Sequence, residues 1–149
     1  TGKAPLSEGF AVFREFLQIK PDLHVAGQVR NGTTKGIDEN ALAAYNAPFP
    51  DDDHKQGVRQ FPNLVPGTPR TPSAEPNKEA WKILREWKKP FLCAFSDKDP
   101  IFSGVENSFY KLIPGCKDMP HVTIEDAGHF LQEDQPEACV DAILSIKNI

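Results

Sequence analysis

Two short stretches of this chain deliver ionisable side chains in a form suited to acid–base chemistry. Residues 90–100 read P-F-L-C-A-F-S-D-K-D-P, and residues 122–133 read V-T-I-E-D-A-G-H-F-L-Q-E. In each, an apolar run stops abruptly in small and polar residues, and the stop carries Asp99 in the first and His129 in the second. A carboxylate beside an imidazole orients the ring and stabilises its protonated form, so that the ring can draw a proton from water. The two residues stand 30 positions apart, enough for a strand, a crossover helix and a neighbouring parallel strand. Ligands of open α/β sheets bind at the carboxyl ends of the strands, where both residues would emerge. Asp97 is the rival carboxylate, and the plain alternatives are a turn-forming aspartate before Pro100 and a loop histidine capping the following helix.

The elements that must position this pair follow from the periodicity of the second half. Asn77 is placed to cap a helix carrying Trp81, Leu84 and Trp87 on one side, where both tryptophans read as structural anchors. Residues 91–95 form a continuous apolar run, expected of a strand buried on both faces. Residues 103–113 predict a helix with Val105, Phe109, Leu112 and Ile113 inward, closed by Pro114 and Gly115. Val122–Ile124 is a second strand. Glu133 and Asp134 read as acids at a helix start, Asp134 as the cap, with Pro136 in the first turn and Val140, Ile143, Leu144 and Ile146 on the apolar face. The result is an α/β arrangement with a mostly parallel sheet and flanking helices. Two strands alone are marginal in water and leave both edges open, so they are expected to belong to a larger sheet.

The first half reads as helical. Ser7 precedes Phe10, Phe13, Phe16 and Leu17, which predicts a helix over 8–19 stopped by Pro21. Its aromatic face either packs in a core or lines a pocket. Residues 22–36 show turn signals at Asn31, Gly32 and Gly36 and no clear element. Asp38 is placed to cap a helix over Leu42 and Tyr45. The run Asp51, Asp52 and Asp53 suits the start of a helix through Val58 that ends at Pro62, because it lacks the alternating oxygen ligands of a calcium loop. Five of the 14 prolines lie from Pro62 to Pro76, marking a surface connection that divides the chain into residues 1–77 and 78–149.

Composition narrows the function classes. The 149 residues hold 17 Lys and Arg against 21 Asp and Glu, a net charge of −4. No basic stripe suggests nucleic acid, and no apolar run approaches the ~20 residues that span a bilayer. Residues 1–5 carry neither a cap nor a signal-peptide pattern, as though sequence had been cut away upstream, and a cytoplasmic location is expected. Cys93, Cys116 and Cys139 are too widely spaced for a metal motif and read as reduced, with Cys93 in the core. The four histidines are scattered, so no zinc site is expected, and His24, His54 and His121 are expected in solvent without partners.

Taken together, A-Y-N-A-P-F-P-D at 44–51, F-P-N-L-V-P at 61–66, the run 89–100 and I-E-D-A-G-H-F-L-Q-E-D at 124–134 resemble the haloalkane dehalogenases, a branch of the α/β-hydrolases. The likeness covers nearly the whole chain. It implies the C-terminal part of an α/β-hydrolase fold: a helical cap and linker at 1–77, then the last two strands of the main domain at 78–149. It implies Asp99 as the triad acid and His129 as the base, with Phe10, Phe13 and Phe130 contacting substrate. The nucleophilic aspartate, expected on a tight strand-to-helix turn, has no counterpart here. The substrate would be a small halogenated organic molecule, cleaved with water to release halide and needing no metal or organic cofactor, and the missing N-terminal half of the fold would be the partner. Phe13 has no N–H to offer a halide. An epoxide hydrolase of the same fold is one alternative, although Tyr45 is the one tyrosine before the linker; a non-catalytic fragment that needs a partner chain is another.

Overall fold

The computed structural model describes residues 6–146; residues 1–5, read above as starting without cap or strand, lie outside them. The chain falls into two compact units, the first comprising residues 6–26 and Ala43–Ile83, the second Gly27–Leu42 and residues 84–146. Against the single expected division near Asn77, residues 27–42 pack with the second unit, for a reason that lies in the loop around His129.

In the first unit, α1 (Glu8–Ile19) is capped at Ser7, whose Oγ accepts the Phe10 N–H at 3.2 Å. Leu17 is its buried residue, while Phe10 and Phe13 pack on one another with ring centres 6.4 Å apart. Helices α2 (Val25–Asn31) and α3 (Glu39–Asn46) follow α1 along the chain. The carboxyl end of α1 is closed by Arg59 of α4 (Gln56–Gln60), which donates to the Leu17 and Lys20 carbonyls and to both oxygens of Asp52. Last-turn carbonyls have no partner within their own helix, and a cation there also suits the helix dipole. The acidic run thus acts locally, with Asp51 accepting the His54 backbone N–H at 3.2 Å and its ring Nδ1–H at 2.6 Å.

Two boundaries differ from the sequence reading. A 3₁₀ turn over Phe61–Leu64 carries the chain past Pro62, which sits in its first turn where a missing N–H costs nothing. Helix α5 (Ala74–Leu84) likewise starts three residues before Asn77. Asn77 is not its cap: its N–H donates to the Ser73 carbonyl at 3.0 Å as an ordinary helical bond, and Pro76 occupies the first turn.

The second unit is built on β1 (Ala94–Ser96) and β2 (Val122–Ile124), which pair in parallel with Ala94 opposite Val122 and Ser96 opposite Ile124. The crossover carries α6 (Glu106–Leu112), and α7 (Leu131–Asp134) and α8 (Pro136–Ser145) follow β2. Residues 91–93 are not laddered, because the Phe91 N–H is taken by Gly115 O at 3.0 Å and β2 begins only where Val122 N meets Cys93 O. The strand is also not buried on both faces: Ala94, Phe95 and Ser96 are all half-buried.

Ile124, Ala127 and Ala142 form a core against which Leu92, Leu131 and Ala138 pack. The apolar face expected of α8 points elsewhere than into this core, with Val140, Ile143 and Leu144 exposed by 52%, 65% and 44%. Val105, expected inward on α6, is exposed as well.

Gly115 marks the tightest backbone approach in this unit. Its N–H donates to Trp87 O at 2.7 Å, and a Cβ there would lie 2.0 Å from the Lys89 carbonyl oxygen. Gly115→Ala should therefore lower stability by about 2–3 kcal/mol through overpacking. Gly57→Ala in α4, where a Cβ meets nothing closer than 3.9 Å, should raise it by roughly 0.5–1 kcal/mol through chain entropy. Thermal unfolding of the two variants measures both signs, and an unchanged midpoint for Gly115→Ala would contradict the packing.

Candidate functional site

Parallel pairing in register brings Ser96 and Ile124 level at the carboxyl edge of the sheet, so the loops carrying Asp99 and His129 start side by side. The first residues of these loops are stitched together by backbone. Asp97 N donates to Ile124 O at 3.1 Å and Lys98 N to Ala127 O at 3.0 Å. Asp97 Oδ1 accepts the Ala127 N–H at 3.2 Å, and Ser96 Oγ donates to Gly128 O at 2.7 Å. Asp126 takes φ 54°, a left-handed conformation that a short polar side chain tolerates, and there the chain turns back.

Of the two rival aspartates, Asp99 faces the imidazole. Its Oδ2 lies 3.1 Å from His129 Nδ1, and its Oδ1 accepts the Ile101 N–H at 2.7 Å. The Asp99 side chain is 7% exposed and that of His129 28%. A carboxylate only accepts, so Nδ1 carries the proton in this contact and the Nε2 lone pair is left to act as a base. The Asp97 carboxyl, tied to the Ala127 N–H, is held below the ordinary range by that bond and serves the loop instead.

Aromatic rings bracket the imidazole. Phe102 lies 5.4 Å from it, centre to centre, and Phe130 meets it edge-on at 5.0 Å. Phe130 thus stands beside His129, whereas Phe10 and Phe13 belong to α1 of the first unit.

A third carboxylate holds the His129 loop in place. Asp134, read from the sequence as a helix cap, instead ends α7 and is 3% exposed. Its Oδ2 accepts Gly128 N–H at 2.8 Å, its Oδ1 accepts Lys35 N–H at 2.9 Å, and both oxygens receive Thr34 N–H at 2.9 and 3.0 Å. Lys35 Nζ adds a bond to the Asp134 carbonyl at 2.6 Å, Thr34 Oγ1 donates to Asp126 O at 2.9 Å, and Phe130 N donates to Gly32 O at 3.1 Å. Glycine is required on both sides: a Cβ on Gly128 would meet Gly32 O at 2.5 Å, and one on Gly32 would meet the Phe130 ring at 2.5 Å. Residues 27–42 join the second unit through these contacts. In the sequence this segment shows only the turn signals at Asn31, Gly32 and Gly36, and they point to no partner.

Of the remaining histidines His24 and His54 are exposed as expected and His121 is half-buried, but none lacks a partner. His121 accepts the Cys93 N–H at Nδ1 and donates from Nε2 to Cys116 O, at 3.1 and 3.0 Å, with its ring 4.3 Å from that of Tyr110. His54 pairs with Asp51, and His24 meets Asn46 at 3.2 Å. Cys93 is buried as expected, and burial pushes its thiol up to about 12. Trp87 receives Lys89 Nζ 5.7 Å above its ring.

With this geometry in view, known proteins supply the context. A haloalkane dehalogenase of Psychrobacter cryohalolentis is 48% identical over 137 residues, which is 92% of this chain. Over nearly its whole length the chain is similar to the haloalkane dehalogenases. A haloalkane dehalogenase of Mycobacterium marinum is 37% identical over 97% of the chain. The solved dehalogenase DpaA of Paraglaciecola agarilytica superposes on 97% of it with a TM-score of 0.83 at 28% identity. DatA of Agrobacterium tumefaciens, at 17% identity and a TM-score of 0.74, shares the fold. No family model matches. The chain spans about half the length of the curated relatives it matches, 45% and 48% for the two named, and its fold is accordingly part of an α/β-hydrolase. Among the described residues, no helix is long and apolar enough to cross a membrane.

The Asp134 carboxyl carries a pH consequence. Burial pushes its pKa up, but the Gly128, Lys35 and Thr34 amides outweigh burial and hold it below 3.8. A lowered folded-state value stabilises fully above the unfolded pKa and is lost as pH falls through the folded one. Stability of the second unit should therefore hold from neutral pH to about 4 and fall below it. Asp134→Ala should remove about 2–4 kcal/mol at pH 7 by stranding buried N–H groups and should flatten the acid limb. Chemical denaturation across pH 2–7 reads both, and an acid limb unchanged in the variant would contradict the assignment.

Proposed function

We propose that this chain supplies the hydrolytic half of a haloalkane dehalogenase. The observation that carries the reading is the contact between His129 Nδ1 and Asp99 Oδ2 at 3.1 Å, on adjacent loops at the carboxyl edge of a parallel pair.

In the proposed reaction a nucleophilic carboxylate from outside residues 1–149 attacks the carbon bearing the halogen. A carbon–oxygen bond forms, the carbon–halogen bond breaks, and halide leaves with the electron pair. His129 then takes a proton from water through Nε2 as the water oxygen attacks the carbonyl of the alkyl ester. Asp99 keeps the ring oriented and balances its charge while it is protonated. The proton passes on as the ester collapses to alcohol and free carboxylate.

The first unit would act as the cap, with Phe10 and Phe13 turned to substrate, and Phe130 would line the site beside His129. The half-covered β1 and the exposed α8 residues Val140 and Ile143 suit a chain whose sheet continues in sequence beyond these residues, the partner we propose being the N-terminal half of the same fold.

The test joins this chain to the N-terminal half of the Psychrobacter relative. The hybrid should release bromide from 1,2-dibromoethane steadily, while the chain alone should not. His129→Gln in the hybrid should give one bromide per site and then slow by about 10²–10⁴-fold, the scale of a lost general base. Continued turnover in His129→Gln, or bromide release by residues 1–149 alone, would defeat the proposal.

A further inference from the structure

The Asp134 carboxylate stands apart from the proposed chemistry, yet it grips the residue beside the base. His129 is fixed through both of its chain neighbours: Gly128 N–H to Asp134 Oδ2 at 2.8 Å on one side, and Phe130 N–H to Gly32 O at 3.1 Å on the other. Both anchors depend on the same 32–35 turn, because Asp134 also receives the Thr34 and Lys35 amides. Gly32 stands so close that an added Cβ would come 3.5 Å from His129 Cβ. A shift of this turn would therefore be passed to the imidazole.

We propose that Asp134 is a positioning residue for His129, its carboxylate clamping the Gly128 backbone to the 32–35 turn so that the imidazole stays against Asp99. The inference rests on the reading of Asp99 and His129 as a working pair. It adds a requirement that residues 27–42, which carry no part of the pair, are present and folded for that pair to form.

Chemistry makes the aspartate specific. Each of its oxygens faces N–H groups alone, so both must accept. Asparagine offers one accepting oxygen and one NH₂, and in either orientation the NH₂ opposes the Gly128 or the Lys35 N–H. Charged groups near the loop include Asp99, Asp97, the Lys35 ammonium on the Asp134 carbonyl, and the exposed Lys98–Asp126 pair at 2.5 Å. None of these others reaches the Gly128 N–H.

The test is NMR of the neutral His129 ring in the full chain, comparing wild type, Asp134→Asn, Asp99→Asn and the double variant by the ¹⁵N shifts that report which nitrogen is protonated, with amide exchange read at Gly128. Asp99→Asn should shift the balance away from the Nδ1–H form by removing the anion that holds that proton. Asp134→Asn should shift it in the same direction, speed Gly128 exchange about tenfold or more, and add nothing further in the double variant. If Asp99→Asn moves the tautomer balance and Asp134→Asn does not, Asp134 only stabilises and the proposal is overturned. If Asp99→Asn itself moves nothing, the pair reading fails and the positioning role falls with it. Should Asp134→Asn fail to fold, Thr34→Val combined with Lys35→Met, which removes the two side-chain bonds from the 32–35 turn to the Asp126 and Asp134 carbonyls, takes its place: a smaller move in the same direction supports the proposal, and an unmoved balance overturns it.

Discussion

The parallel pairing of β1 with β2 is the constraint from which the rest of the site follows. Once Ser96 lies opposite Ile124, both chains leave the sheet at one edge and their loops run side by side. A slip of one residue would turn every side chain of β1 to the other face. The Asp97 N–H to Ile124 O and Lys98 N–H to Ala127 O bonds extend that register past the strands, so Asp99 and His129 inherit their positions from backbone bonds rather than from their own attraction. Strands of three residues would be poor supports by themselves. Here the ladder is continued by loop bonds and by the Ile124, Ala127 and Ala142 core.

A buried carboxylate is an expensive way to hold a loop unless every oxygen is engaged. Taking such a charge out of water costs several kcal/mol, and charge-assisted hydrogen bonds contribute about 1.5–3 kcal/mol each, so the three amides on Asp134 can offset the burial without a counter-ion. These bonds fix the 32–35 turn, a segment without regular structure, against the His129 loop. Its order comes from acceptors on the Asp134 loop, and the two glycines that permit the close approach, Gly32 and Gly128, have no room for a side chain.

Much of this was legible in the sequence because it is local. Ser7 and the phenylalanine spacing give α1 its observed limits, and V-T-I before small polar residues gives β2 its own. Asp99 and His129 were legible because each stands where an apolar run stops. The parts that were not legible depend on distant partners. The Asp134 carboxylate answers to Thr34, a hundred residues away, and by local rules an acid near Pro136 is indistinguishable from a cap. His121 is held by Cys93 and Cys116, and Asn77 lost its capping role because Pro76 is as acceptable inside the first turn as before it. The expected inward face of α8 failed for another reason: periodicity marks which side of a helix is apolar, while burial also needs something to cover it.

In the role proposed for it, His129 must have its proton on the nitrogen that faces Asp99 and its lone pair on the other. The ¹⁵N shifts of the neutral His129 ring, read in the full chain, report that choice without any substrate. The structure predicts a neutral ring protonated at Nδ1, held by Asp99 Oδ2, with Nε2 bare. A ring protonated mainly at Nε2 would leave the Asp99 oxygen without its donor and the site without its base, and would contradict the role assigned to both residues.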